Sequence, residues 1–232
     1  MLTIRDHEVD DYVALRDMDA TDVSVLTDDD RECLDDLGQY LVATDTWQRF
    51  GIWLLHKHFE PNHGEVFVES VVAGERRTRT APVERASEPA LNATAVRFDP
   101  AVRSGVAVIG MEFAAPATFG PVSPLSAEDE SVLAGIAECL EKHGKSERFG
   151  VRLVRNPLSI SGPELLLETS DDAHRSLRCD VSTREQVSAN HKLIETNWQF
   201  RPERDEAGVK AVQACYATCL RGEENHNLEH SS

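Results

Sequence analysis

The chain has 232 residues, of which 41% are hydrophobic and 28% charged, with a formal net charge of −17. That balance suits a globular protein long enough to bury a sizeable core. The charge repels nucleic-acid phosphates and anionic lipid, which excludes both as expected partners and leaves a small molecule or another protein.

The five cysteines are an odd number in a chain too long to need a disulfide scaffold, and Cys33 and Cys139 read as core fillers on helices. No apolar run approaches the ~18 residues of a membrane span. The first residues, Met-Leu-Thr-Ile-Arg-Asp-His-Glu, lack the apolar core of a secretory signal, which predicts a cytoplasmic location.

Residues 1–19 form an N-terminal extension with room for one strand or helix. Beyond it the chain repeats itself: Arg49-Phe50-Gly51-Ile52-Trp53-Leu54-Leu55 returns as Arg148-Phe149-Gly150-Val151-Arg152-Leu153-Val154, 99 positions on. At the same offset Asp30 meets Asp129, Glu65 meets Glu164, Glu69 meets Glu168 and Arg76 meets Arg175. This divides the chain into a first unit at 20–115, a Pro/Gly-rich linker, a second unit at 119–222 and a polar tail at 223–232.

Each unit opens on a helix signal. Thr27 and Ser126 are N-cap candidates followed by crowded acids, and apolar residues then recur at helical spacing through Leu41 and Leu140. The acids of Asp28-Asp29-Asp30 and Asp35-Asp36 read as a solvated helix face. Strands are expected at 49–59 and 148–158, each followed by a hairpin loop and a second strand from Glu65 or Glu164. Third strands follow Arg76 and Arg175, and fourth strands lie at 94–98 and 196–200. Each unit is expected to close on a helix, over Gly105–Phe113 and Val209–Leu220, the latter with Val209, Val212, Tyr216 and Cys219 at helical spacing. The fold these elements predict is α+β, with two tandem units related by a pseudo-twofold axis and short loops making antiparallel sheets.

The halves differ most in chemistry where His56-Lys57-His58 in the first stands opposite Arg155-Asn156-Pro157 in the second. On a strand His56 and His58 share a face, so their imidazoles can converge on one metal ion. His63 in the following loop is a third candidate ligand, and Glu65 ranks below it because Glu164 repeats it in the half without histidines. Such a set suits zinc, iron, copper or manganese. Cys215 and Cys219, four apart on the expected closing helix, form a second candidate cluster with His226 beyond, either as a zinc site or joined to the histidines. A basic group of Arg76, Arg77, Arg79 and Arg85, echoed by Arg175, Arg178 and Arg184, offers a carboxylate or phosphate site, with Arg155 at the position equivalent to His56. Phosphate loops, dinucleotide fingerprints, H-E-x-x-H and G-x-S-x-G are absent.

The segment from Arg49 to Phe59 resembles that of uncharacterised proteins bearing an RFG-x-x-LLH-x-HF string, which implies no activity. Gly51 and the His-x-His pair are loosely similar to the first motif of cupins, but Glu65 falls several residues late and the second half has no matching histidine. The leading functional reading is a transition-metal-binding protein with its site in the first unit. With an open coordination position it would be a metal-dependent enzyme acting on a small molecule. The alternatives are an acidic protein-interaction or chaperone-like module, and a metal-free enzyme with a histidine general base.

Overall fold

The structure, a computed structural model, describes residues 1–17, 25–88, 90–102, 105–120, 122–171, 173–183, 185–187, 192–205 and 208–221. Along the chain run β1 (Thr3–Asp6), α1 (Val9–Val13), α2 (Asp28–Ala43), β2 (Phe50–Leu54), β3 (Glu65–Val71), β4 (Arg77–Glu84), β5 (Asn92–Phe98) and β6 (Ala107–Ala114). They are followed by α3 (Pro116–Phe119), α4 (Glu130–Lys142), β7 (Phe149–Leu153), β8 (Glu164–Asp171), β9 (Ser176–Thr183), β10 (Lys192–Asp205) and β11 (Gly208–Arg221). The strands make one sheet in the order β1-β6-β3-β4-β9-β8-β11-β10-β2-β7-β5, and β5 pairs back onto β6. The strands from β2 to β11 therefore close a barrel, and β1 lies outside the ring, parallel to the first half of β6.

This overturns the expected α+β pair of tandem units. Neither half owns a sheet: β2 pairs with β7, β4 with β9, β5 with β7 and β10 with β2. The expected closing helices are strands. Ala107–Ala114 is buried at every position, and a run apolar on both faces has no period that separates a covered strand from a helix. In β11 the helical spacing from Val209 to Cys219 is outweighed by a ladder to β10 running the length of both strands. Once those segments are strands, each half has more strand edges than it can satisfy alone, and closing one ring pairs them.

The repeated Arg-Phe-Gly has a separate structural reason at each residue. Thr27 caps α2, its hydroxyl accepting from the Asp30 amide at 3.2 Å while the Asp30 carboxylate accepts from the Thr27 amide at 2.9 Å. Ser126 and Asp129 repeat this ahead of α4, with the Ser126 amide donating to Asp129 at 2.9 Å. Arg49 then grips the second cap, Nε and Nη2 donating to the two Asp129 oxygens at 2.6 and 2.7 Å. Arg148 pairs with Asp30 of the first cap at 2.9 Å. Phe50 and Phe149 are fully buried with Leu34, Leu37, Leu133 and Ile136 of the two helices. A Cβ on Gly51 would lie 2.7 Å from the Trp198 carbonyl oxygen, and one on Gly150 2.5 Å from that of Val96. Only glycine lets the neighbouring strand come so close.

Asp129→Ala removes both a cap and the partner of a part-buried guanidinium. It is expected to cost about 1–3 kcal/mol, read as a lower urea midpoint at unchanged slope. A shift within error would show the cap to be dispensable. No helix among the described residues is long and apolar enough to cross a membrane.

Candidate metal centre

β2 ends at Leu54, before the histidines, so the expected strand to residue 59 is shorter than the sequence suggests. The chain beyond stays tied on alternate amides: Leu55 donates to the Arg148 carbonyl (2.8 Å) and Lys57 to that of Arg16 (2.9 Å). Side chains in between, His56 and His58, turn to the same side. Opposite them, Glu168 of β8 and Cys219 of β11 are register partners in a parallel ladder.

The ligand atoms of His56, His58, Glu168 and Cys219 all lie within 4.8 Å of one another and could hold a metal ion. His56 Nε2 is 3.0 Å from His58 Nε2, and Cys219 Sγ is 3.9 Å from the first and 3.6 Å from the second. In a tetrahedron, metal–nitrogen bonds of about 2.05 Å and a metal–sulfur bond of about 2.3 Å set ligand atoms about 3.3–3.6 Å apart. The three atoms sit close to that spacing. Cys219 Sγ also donates to Glu168 Oε2 at 2.8 Å, and the Thr196 hydroxyl donates to the same oxygen at 2.8 Å.

The surroundings set the rings. His56 Nδ1 lies 2.7 Å from the Leu54 carbonyl, which can only accept, so Nδ1 carries the proton and Nε2 of the neutral ring keeps its lone pair. His58 Nδ1 is 2.6 Å from Ser170 Oγ. Contacts of this kind orient imidazoles in metal sites. Burial lowers the pKa of His56 and drives that of His58 well below its ordinary value, which favours neutral rings. Burial, then Glu168, pushes the Cys219 thiol well above its ordinary range. Two neutral imidazole nitrogens 3.0 Å apart repel if both present lone pairs, so a cation or a shared proton must lie between them.

The other half shows what a glutamate here requires. Glu69 sits beside Ala114 as Glu168 sits beside Cys219. Buried Glu69 accepts from Arg155 Nη1 at 3.0 Å and Arg152 Nη2 at 3.3 Å. Arg155 occupies the position 99 residues after His56. Buried Glu168 has no ion pair among the described residues; two imidazoles and a thiol stand beside it where Arg155 stands beside Glu69, and the Arg152 guanidinium is near enough to act on it electrostatically. A divalent ion with one carboxylate, one thiolate and two neutral imidazoles is neutral overall, the condition under which burial costs least. A narrow hollow walled by Tyr12, Trp53, Phe59 and Phe67 opens onto His56, His58 and Glu168.

The structure thus brings His56, His58 and Cys219 together. His63 is exposed in the turn before β3 and is not among the gathered ligands. Cys215 lies on β11, but its side chain is outside the described residues, as are Arg184 and His226. Arg76 is exposed and bonded to Glu164 at 2.6 and 2.9 Å, Arg79 is exposed on β4, and Arg155 is spent on Glu69 and the carbonyls of Thr118 and Phe119. Glu65 pairs with Arg175. Sequence reasoning missed Glu168 and Ser170. The available signal was an acid directly after the apolar run Leu165-Leu166-Leu167. No family model, curated protein or solved structure matches this chain.

Proposed function

We propose that the protein binds one divalent transition-metal ion, zinc first, through His56 Nε2, His58 Nε2 and Cys219 Sγ, with Glu168 as the fourth ligand. The observation that carries this reading is the 3.0 Å approach of two imidazole nitrogens beside a thiol, with His56 locked by a carbonyl in the metal-binding tautomer. Nitrogen, sulfur and one oxygen form a donor set that zinc accepts in tetrahedral geometry, and two histidines with one cysteine also suit copper. Metal analysis of protein purified without a histidine tag is expected to find about one ion per chain, lost in Cys219→Ser while the fold persists. Metal-free protein that takes up neither zinc nor copper would leave the imidazoles sharing a proton and end the proposal.

The hollow beside His56, His58 and Glu168 favours a second, catalytic version of the same site. If His56, His58 and Cys219 held the ion and water the fourth position, Glu168 would be placed to accept that water's proton, and the ion would supply Lewis-acid activation toward a small electrophile. The cobalt-substituted protein distinguishes the two. An open site changes its visible spectrum on adding azide or a small thiol, and a closed one does not.

A further inference from the structure

We propose that Asp36 of α2, with Cys139 and His143 of α4, forms a second and solvent-open site for a divalent transition metal, zinc first, that ties the two helices together. It shares no residue with the centre in the barrel and stands whether or not that centre binds an ion.

Cys139 and His143 are four apart, so they present to the same side of α4, and His143 is the C-cap of that helix. Asp36 meets them from α2. The Cys139 sulfur, a His143 ring nitrogen and an Asp36 carboxylate oxygen all lie within 4.8 Å of one another. His143 Nε2 is 2.9 Å from Asp36 Oδ2. Ligand atoms on one tetrahedral zinc stand about 3.3–3.6 Å apart. The Asp36 side chain is 43% exposed, so a small turn of it closes the set on an ion.

The repeat shows what this seam looks like when it is only packed. Counting 99 positions from Asp36, Cys139 and His143 gives Gly135, Tyr40 and Thr44. Tyr40 lies over Gly135, where a Cβ would collide with the ring, and its hydroxyl donates to the Ser131 carbonyl at 3.3 Å. The Thr44 hydroxyl turns back to the Tyr40 carbonyl at 2.9 Å. Holding two helices at this crossing therefore asks for no thiol, imidazole or carboxylate. All three positions that pack at one end of the seam carry metal-binding side chains at the other.

One thiolate and one carboxylate neutralise a divalent ion, and thiolate with imidazole selects zinc or cobalt over magnesium or calcium. Three protein ligands leave the fourth position to water. All three residues are partly exposed, so the ion exchanges with solvent and binds more weakly than one in the barrel. The site also has its own competitor. Lys142 Nζ reaches Asp36 Oδ2 at 2.8 Å from a side chain 68% exposed, and it swings to solvent when the ion enters. The Cys139 proton passes to solvent at the same time.

The test titrates zinc into the full, reduced chain against a chromogenic chelator. Cys139→Ser, His143→Ala and Asp36→Asn are each expected to bind about one ion fewer than wild type. That count is a difference, so it reads the same in wild type and in a Cys219→Ser background, where the barrel centre has lost its thiolate. Lys142→Ala is expected to bind the same ion severalfold more tightly, a gain that a merely structural Asp36–Lys142 pair would not give. A measurement on wild type needs no variant to fold: zinc should protect Cys139 from alkylation by iodoacetamide, read by peptide mapping. Equal alkylation of Cys139 with and without zinc overturns the proposal, as does a Cys139→Ser protein that takes up as many ions as wild type. Unchanged affinity in Lys142→Ala overturns Asp36 as the third ligand.

Discussion

His58→Ala is expected to weaken zinc binding by at least about a hundredfold, measured by competition against a chromogenic chelator. The variant deletes one of three donor atoms that already stand near tetrahedral spacing, and alanine brings nothing to replace it. Ser170→Ala, which removes only the hydroxyl at His58 Nδ1, should cost about tenfold, the lower end for an outer-shell partner. The order of the two effects identifies which groups touch the ion. Binding should also release about one proton at neutral pH, because burial already keeps both imidazoles neutral while the Cys219 thiol must ionise. Calorimetry in buffers of different ionisation enthalpy reads that proton. Unchanged affinity in His58→Ala would remove it from the ligand set.

Arg155→Met is expected to destabilise the fold by about 3–5 kcal/mol, the cost of stranding one partner of a buried ion pair. Its guanidinium, 5% exposed, donates to Glu69 and to the carbonyls of Thr118 and Phe119. The charge left behind on Glu69 is the larger part of the penalty, so adding Glu69→Gln should recover much of it. Urea unfolding of the single and double variants checks both statements. A single-variant loss under about 1 kcal/mol, typical of a surface pair, would show that Arg152 alone satisfies Glu69.

Much of the local structure was legible. Thr27 caps α2, Ser126 caps the short turn that leads into α4, and the Arg-Phe-Gly repeat marks β2 and β7, because caps and core residues leave short-range signatures. The barrel was not legible, because β6 and β11 carry apolar residues on both faces and their pairings join distant segments. At the site, the His-x-His spacing pointed to a real convergence, though the strand expected to create it stops at Leu54. Cys219 was singled out on a helical premise shared with Cys215. On a strand, positions four apart lie about 13 Å from each other, too far to share an ion. Glu168 stood in the sequence only as the repeat of Glu69, with nothing to mark it as a ligand. Only the tertiary contacts show that one of these acids meets arginines and the other meets donors for a metal.

The seams β2–β7 and β4–β9 also govern what a fragment of this chain can be. A piece ending near Gly120 would carry β4 and β5 with the backbone groups on one side of each unmatched and β2 with both sides unmatched, and the Asp30 cap would lose its Arg148. Such a half would be sticky along four strand borders and would seek either the missing half or another copy of itself. Expression of the halves in one cell is thus a reassembly problem, whereas expression of either alone is a solubility problem.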